Sequence, residues 1–383
     1  MLKIGVGKAG ILYPQDFFSS GQEGFSGVHD TPLVHVTVLE SDRRIVFAVC
    51  DIVDIDDWHD IRQKIANTVN CSVENVILHV NQVFSTPSCS CPKETSERQE
   101  DAKSTLLHRV VLSALLMAAL EAQANLVPVK IGIGYGVCRV GVNCVLKRNR
   151  EFFRATNESG ETEHLLPVIR FENDAGELIS VLFTVSSAAG VLENAFSYEG
   201  NRLISGDMAS GSERLLEEQL CANAVYLLGA SADQWPTLRA EWDYIDGEKK
   251  IEQSDIQKRG FLFIELLSRR LARSVVQAMD FISCEEVRGA VRLHRRKIIF
   301  PACGQQQVSE AEIIALKINE LVLIGCPVRF CVKTSKKIRM NSPFQHTILL
   351  ECTNGHQGKI ASNHVKTFEN EMIEFLNDIK RGS

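Results

Sequence analysis

The sequence predicts an α/β fold: a pseudo-symmetric pair of ββαβαβ repeats that form one layered core, with a C-terminal α/β extension. Short apolar segments alternate with longer segments whose apolar residues recur every three or four positions, which is typical of strands alternating with helices. Residues 76–87 and 225–236 also have equal length, and each runs from a strand-like pattern to a proline. We therefore divide the chain into units 1–150, 151–300 and 301–383, packed on the same core.

The elements follow the same order in the first two units. In the first we expect a strand pair over 34–51, a helix over 56–69, a strand over 76–84, a helix over 102–123 and a strand over 129–137. In the second we expect strands at 168–171 and 178–185, a helix over 210–220, a strand over 225–230, a helix over 256–279 and a strand over 287–293. The last unit is expected to contain a helix over 310–318, strands at 321–325 and 347–352, and a helix over 367–379.

Sites in α/β folds lie where strands end and loops begin. The predicted site loops are therefore those after Phe84, Val185, Ala230, Gly325 and Cys352.

Composition limits the classes of partner. The net charge is −6 and no basic stripe stands out, so we expect no nucleic-acid partner. The N-terminus has the pattern of a strand, and the most apolar stretch, 106–120, is too short to cross a bilayer. We therefore expect a cytoplasmic protein without a membrane partner. The 12 cysteines include no CxxC pair, so most are expected to be reduced and buried.

Several short motifs fall in or near the predicted loops. They are IGVGKAG at 4–10, GVHD at 27–30, LISGDM at 203–208, GASADQWP at 229–236, SPFQHT at 342–347 and TNG at 353–355. In this order and spacing they resemble motifs of the N-terminal catalytic domain of neutral/alkaline (non-lysosomal) ceramidases and their short bacterial relatives. The resemblance runs through nearly the whole chain.

The resemblance implies a zinc site made of two histidines, a glutamate and a tyrosine, but this chain departs from it at every ligand. The family's T-H-T-H-S-G-P segment corresponds to Asn-Gln-Val-Phe-Ser-Thr-Pro at 81–87. The second histidine position falls on Ala188 or Ala189, and the glutamate position falls on Arg329. The tyrosine-bearing tail is replaced from 355–359 onwards. Because an arginine would repel a divalent cation, we expect a diverged relative without zinc or another cofactor.

Other reactive groups stand in the same loops. Cys89 and Cys91 directly follow the altered segment, and a thiolate is a competent nucleophile without a metal. Asp51 and Asp233 are candidate orienting carboxylates, although they could equally be caps or turn residues, and the two thiols could be incidental. These four residues are the catalytic candidates. The candidates for substrate binding are Asn81, Gln82, Phe84, Ser85, Ser231, Gln234, Trp235, Arg329 and His356.

Three functions remain open from the sequence. The first is metal-independent amide or acyl-transfer chemistry on a small molecule in a biosynthetic pathway. The second is a non-catalytic relative that binds a small ligand or a partner protein in the old pocket, and the third is a hydrolase with a relocated metal. A convergent polar pocket would favour the first, whereas a pocket filled by Phe84 and Trp235 would favour the second. A homodimer or a pathway partner protein is left open.

Overall fold

The computed structural model describes residues 1–20, 22–88, 97–148, 151–196, 200–245, 251–300 and 309–382. The strands of the first half are β1 (Lys3–Gly10), β2 (Phe25–Val28), β3 (Leu33–Glu40), β4 (Arg44–Cys50), β5 (Val76–Val80), β6 (Val127–Pro128), β7 (Lys130–Val137), β8 (Gly141–Asn143), β9 (Val145–Arg148), β10 (Glu151–Arg154) and β11 (Leu165–Glu172). Those of the second half are β12 (Leu178–Val185), β13 (Arg202–Ile204), β14 (Asn223–Leu228), β15 (Gln234–Pro236), β16 (Glu241–Ile245), β17 (Ile251–Asp255), β18 (Glu285–Glu286), β19 (Arg292–Phe300), β20 (Ser309–Ile318), β21 (Leu321–Gly325) and β22 (His346–Leu350). The α-helices are α1 (Trp58–Val69), α2 (Glu97–Ala124), α3 (Asp207–Leu220), α4 (Gly260–Met279), α5 (Val332–Met340) and α6 (Val365–Arg381). The predicted α/β class is confirmed.

Two five-stranded sheets lie at the centre, with strand orders β5-β4-β3-β1-β6 and β14-β12-β11-β7-β18. In each sheet the three strands that follow the edge strand pair antiparallel, and the edge strand, β5 or β14, is parallel to its neighbour. The two orders therefore correspond strand for strand, and the predicted repeat with superposition of the two halves stays a prediction. Strand β7 belongs to the second sheet, so the sheet boundary falls before Lys130 and not at 150.

The layers are helices, sheet, sheet and helices. Helices α1 and α2 share one apolar core with the first sheet, and α3 and α4 share another with the second. A third core joins the two sheets to each other, as Phe47 and Phe171 show. Strand β1 packs closely against α2 because residue 5 is glycine. A Cβ at Gly5 would lie 1.8 Å from the carbonyl oxygen of Ala122.

Helix α2 is longer than the predicted 102–123. Within the described residues, its segment Ser104–Ala124 is long and apolar enough to cross a membrane by length and composition, which corrects the shorter estimate from the sequence. One face, with Leu107, Val111 and Leu115, is buried on the first sheet. Packing on that sheet accounts for the apolar residues of this face, since core helices of globular domains have the same composition.

The C-terminal unit contains the largest difference from the sequence prediction. Residues 310–318, predicted as a helix, lie in strand β20 between β19 and β21. Ile314 and Leu316 face the core shared with the two central sheets, whereas Ile313 and Ala315 face the core under α5 and α6. The helix prediction was wrong because a strand buried on both faces loses the alternation of apolar and polar residues that identifies strands.

Candidate functional site

The loops after β5, β12, β14 and β21 meet at one end of the sheets. The backbone N–H of Phe84 donates to the carbonyl oxygen of Ala189 at 2.9 Å, which joins the loops after β5 and β12. The N–H of Ala232 donates to the carbonyl oxygen of Phe330 at 3.3 Å, which joins the loops after β14 and β21. The loops selected from the sequence are therefore adjacent in space, although they come from distant parts of the chain.

The contact between Gln82 and His356 adds the loop after β22 to this group of loops. Nε2 of Gln82 lies 3.1 Å from Nε2 of His356, so the amide can donate to an unprotonated ring nitrogen. Gln82 is 1% exposed and has a φ of 49°, in the left-handed region that non-glycine residues rarely adopt. Its Oε1 is buried and accepts no hydrogen bond from the described residues. Backbone strain together with an unpaired buried oxygen is typical of a functional site.

His356 supplies an accessible imidazole. Desolvation by the surrounding loops lowers its pKa, the positive charge of Arg329 acts in the same direction, and the negative charge of Asp54 opposes both. One side of the ring nevertheless stays open to solvent, since the residue is exposed overall. A neutral, reachable imidazole at neutral pH can accept a proton from a nucleophile.

Asp54 is a site residue that the sequence analysis missed. Its side chain is 7% exposed and accepts a hydrogen bond from Oγ of Ser88 at 2.8 Å. Ser88 directly precedes Cys89, and the predicted Cys89 and Cys91 lie outside the described residues. Ser88, the residue before Cys89, is therefore hydrogen-bonded to a carboxylate whose negative charge also acts on His356. The only sequence signal for Asp54 was its position in an acidic run that a loop or helix cap explains equally well.

Glu351, at the end of β22, was also missed. It is fully buried and accepts hydrogen bonds from N–H and Oγ of Ser231, at 3.0 and 2.6 Å, and from N–H of Phe330, at 2.6 Å. Burial raises the pKa of Glu351 to about 7, against the opposing effect of Arg329, whose Nε lies 3.7 Å from the carboxylate. Ser231, predicted to bind substrate, is 1% exposed and holds this carboxylate instead.

Asp51 and Asn81, predicted at the site, belong to a buried network between the two sheets. Nδ2 of Asn81 donates to Oδ1 of Asp51 at 2.7 Å and to the carbonyl oxygen of Tyr226 at 2.8 Å. Oγ of Ser210 donates to Oδ2 of Asp51 at 2.6 Å. Burial and the neighbouring Glu213 raise the pKa of Asp51 well above its ordinary value. Asp51 and Asn81 are both fully buried, and their hydrogen bonds join the two sheets; the site roles assigned to them from the sequence stay predictions.

Three more predicted residues are hydrogen-bonded internally. Oδ1 of Asp233 accepts the N–H of Val332 at 3.0 Å, at the start of α5. Nε2 of Gln234 donates to two backbone carbonyl oxygens, each at 3.0 Å. Oγ of Ser85 donates to Asp207 at 2.7 Å. These side chains shape the loops in which they lie.

A described thiol lies near the same loops but is poorly suited as a nucleophile. Cys331 precedes α5, and burial and the negative charge of Asp233 raise its pKa to about 11 despite the opposing effect of Lys359. The thiol is therefore protonated at neutral pH, whereas nucleophilic attack needs the thiolate.

Phe84 packs beside Gly190, the residue after Ala189. A Cβ at Gly190 would lie 3.2 Å from the Phe84 ring and 3.6 Å from Oε2 of Glu193. The same Glu193 oxygen accepts a hydrogen bond from Arg239 at 3.1 Å. The guanidinium of Arg239 in turn lies 4.0 Å above the ring of Trp235, which borders a cavity of about 430 Å³. Trp235 therefore lines an open space and does not fill it.

The positions that carry zinc ligands in the resembled family do not fit a zinc ion here. Gln82 presents an amide that contacts His356, Ala188 and Ala189 have no donor atoms in their side chains, and Arg329 places a cation beside the site. Across the described ranges, no group of three or more His, Cys, Asp or Glu side chains is placed to hold a metal ion. Zinc needs several deprotonated ligands that converge on one point, so no metal-dependent step is derived from these residues.

The fold is similar to that of two solved ceramidases. One is the crystal structure of neutral ceramidase from Pseudomonas aeruginosa, with a TM-score of 0.74 and 14% sequence identity over 99% of this chain and 74% of that chain. The other is a ceramidase complexed with C2, with a TM-score of 0.73 and 14% identity over 99% of this chain and 75% of that chain. No protein-family model and no curated protein matches the sequence. The likeness shows a ceramidase-like fold.

Proposed function

We propose that this ceramidase-like protein carries out metal-independent acyl transfer, forming or hydrolysing an amide of a small molecule in a biosynthetic pathway. The observation that carries the proposal is the contact between Gln82 and His356 beside the guanidinium of Arg329. It supports the proposal because a reachable, neutral imidazole contacts Gln82, a position that the resemblance assigns to a zinc-binding histidine. A cytoplasmic location and a pathway partner protein or homodimer belong to the same proposal.

In this proposal Cys89 or Cys91 is the nucleophile and His356 is its base. Once the amide of Gln82 releases Nε2 of His356, the imidazole takes the thiol proton at that atom and the thiolate attacks the acyl carbonyl carbon. The leaving amine or alcohol then receives the proton from the imidazolium. Water or an amine then attacks the thioester and releases the enzyme. Asp54 would stabilise the imidazolium, and Arg329 would stabilise the negative charge that develops on the carbonyl oxygen.

A non-catalytic ligand-binding protein is the second candidate. It is favoured by the internal hydrogen bonds of Asp51, Asp233 and Ser231, which leave fewer polar groups facing a substrate than the sequence indicated. The ring of Phe84, packed at Gly190, also takes up space beside the loop after β12.

The proposal is tested with p-nitrophenyl acetate, a general acyl donor, and purified protein in EDTA. We expect hydrolysis that the chelator does not change, and a rate about 10²-fold lower in His356→Asn because a general base is removed. The Cys89→Ala/Cys91→Ala double variant should lack the pre-steady-state burst of p-nitrophenol. His59→Asn and Cys221→Ser, at exposed residues, serve as matched controls and should keep the wild-type rate.

The outcomes separate the three functions. Full activity in the double cysteine variant would eliminate the thiol mechanism. Loss of activity in EDTA with recovery on adding zinc would support the relocated-metal hydrolase. Equal background rates in wild type and His356→Asn would support the non-catalytic alternative.

A further inference from the structure

The two carboxylate oxygens of the fully buried Glu351 have different partners. Oε1 accepts the backbone N–H of Ser231 at 3.0 Å and that of Phe330 at 2.6 Å. Oε2 accepts a hydrogen bond from Oγ of Ser231 at 2.6 Å and lies 3.7 Å from Nε of Arg329. Oε1 therefore joins the backbones of the loops after β14 and β21, whereas Oε2 is the oxygen beside the guanidinium.

The guanidinium of Arg329 is held along one edge. Its Nη2 donates to the carbonyl oxygen of Ser231 at 3.3 Å and to Oγ of the same residue at 3.4 Å. Its Nε is buried and forms the ion pair with Glu351. Only 15% of the side-chain surface is exposed, so Glu351 and Ser231 together limit the positions that this guanidinium can adopt.

The backbone of Arg329 also carries the loop that contains His356. The N–H of Arg329 donates to the carbonyl oxygen of Gly358 at 2.8 Å, and the N–H of Ile360 donates to the carbonyl oxygen of Arg329 at 2.9 Å. The positive charge of Arg329 acts on the imidazole of His356. The guanidinium and the imidazole are therefore fixed relative to each other by the same short segment.

We propose that Glu351 is a positioning residue of this site: through Oε2 it keeps the guanidinium of Arg329 in place for the negative charge that develops on the carbonyl oxygen. A charge that is already in position stabilises an oxyanion without reorganisation during the reaction. The part in catalysis rests on the proposed acyl transfer, whereas the placement of Arg329 by Glu351 does not.

Glu351→Gln separates the tasks of the two oxygens. The amide oxygen of glutamine can take the place of Oε1, but its NH₂ group is a donor, and a guanidinium has only donors to offer it. We therefore expect phenylglyoxal, which reacts with the two Nη atoms of arginine, to label Arg329 about tenfold faster than in wild type. Mass spectrometry measures the labelling at about pH 8, above the pKa of Glu351 of about 7, so that most wild-type molecules carry the carboxylate.

Glu163→Gln is the matched control, because Glu163 divides its oxygens in the same way. Its Oε1 accepts the N–H of Leu165 at 3.1 Å, and its Oε2 accepts a hydrogen bond from Arg339 at 2.6 Å. This variant should speed the labelling of Arg339 and leave that of Arg329 at the wild-type rate. Ser231→Ala removes the hydroxyl that contacts both Oε2 and Nη2, and it should also speed the labelling of Arg329, which keeps the test open if Glu351→Gln does not fold.

Hydrolysis of p-nitrophenyl acetate tests the link to the reaction. Arg329→Met should lower kcat about 10²-fold and leave KM unchanged, because the lost contact forms only in the transition state. Glu351→Gln should lower kcat about tenfold, and the double variant should be no slower than Arg329→Met, since Glu351 acts through Arg329. Glu163→Gln should keep the wild-type kcat.

The two readouts distinguish failure of the inference from failure of the acyl transfer. Wild-type labelling of Arg329 in both Glu351→Gln and Ser231→Ala, or losses in kcat that add in the double variant, would overturn the inference and leave the acyl transfer standing. Faster labelling of Arg329 in variants of a protein that does not hydrolyse the ester would support the positioning by Glu351 and refute the acyl transfer.

Discussion

Replacement of Asn81 by leucine is expected to lower the free energy of unfolding by about 4 kcal/mol. Asn81 is fully buried and joins both sheets, since it donates to Asp51 and to the carbonyl oxygen of Tyr226 and accepts the N–H of Leu228 at 3.0 Å. Leucine cannot replace any of these bonds. The N–H of Leu228 keeps a second acceptor, Nε2 of His79 at 3.1 Å. Each buried polar partner left unpaired costs about 1–3 kcal/mol, so the losses at Asp51 and Tyr226 are large for one substitution.

The measurement is urea unfolding followed by circular dichroism. Asn67→Leu is the matched control, because Asn67 is exposed on α1 and its side chain bonds only to Gln63 among the described residues. Its unfolding free energy should stay within about 0.5 kcal/mol of wild type. A loss of less than about 1 kcal/mol for Asn81→Leu would show that the network contributes little to joining the sheets. Because Gln82 follows directly, the variant should also reduce activity at the proposed centre.

The contribution of Glu213 and Glu351 to the free energy of unfolding is expected to fall by several kcal/mol as the pH rises from about 5 to about 8. Burial raises the pKa of Glu213 and of Glu351 to about 7, from an ordinary value of 4.5. Between these two values the folded protein binds more protons than the unfolded chain, so raising the pH favours unfolding. The stabilisation is complete below about pH 4.5 and is lost as the pH rises through about 7. At 1.36 kcal/mol per pKa unit, each group contributes on the order of 3 kcal/mol.

Urea unfolding at a series of pH values tests this expectation. The difference in unfolding free energy between wild type and the double variant Glu213→Gln/Glu351→Gln should shrink as the pH rises, because glutamine does not titrate. Glu218→Gln, at an exposed residue of α3, should keep the wild-type slope. If the double variant keeps the wild-type slope as well, the two buried glutamates do not contribute to the pH dependence of unfolding.

Local sequence pattern determined most of the secondary structure and indicated which loops come together. Strand and helix periodicity predicted the main elements of both central sheets, and the spacing of Val76 and Val225 relative to Pro87 and Pro236 predicted two halves with a common order. The strand expected at 287–293 was wrong, because β18 is the short segment Glu285–Glu286 and β19 begins at Arg292. Short motifs, read together, indicated the ceramidase-like fold that the structural comparison confirmed. This was possible because burial on one face of an element leaves a periodic trace in the sequence.

Only the tertiary structure decided which polar residues meet. Asp51 and Asn81 end strands, as a site residue would, yet the two sheets close over them and bury both. His356 meets Gln82 although 274 residues separate them, and nothing local to either residue indicates the contact. Strand β20 likewise forms because it pairs with β19 and β21 and is buried on both faces. Periodicity reports how one element is buried, whereas the partner that buries it is chosen by contacts far apart in the chain.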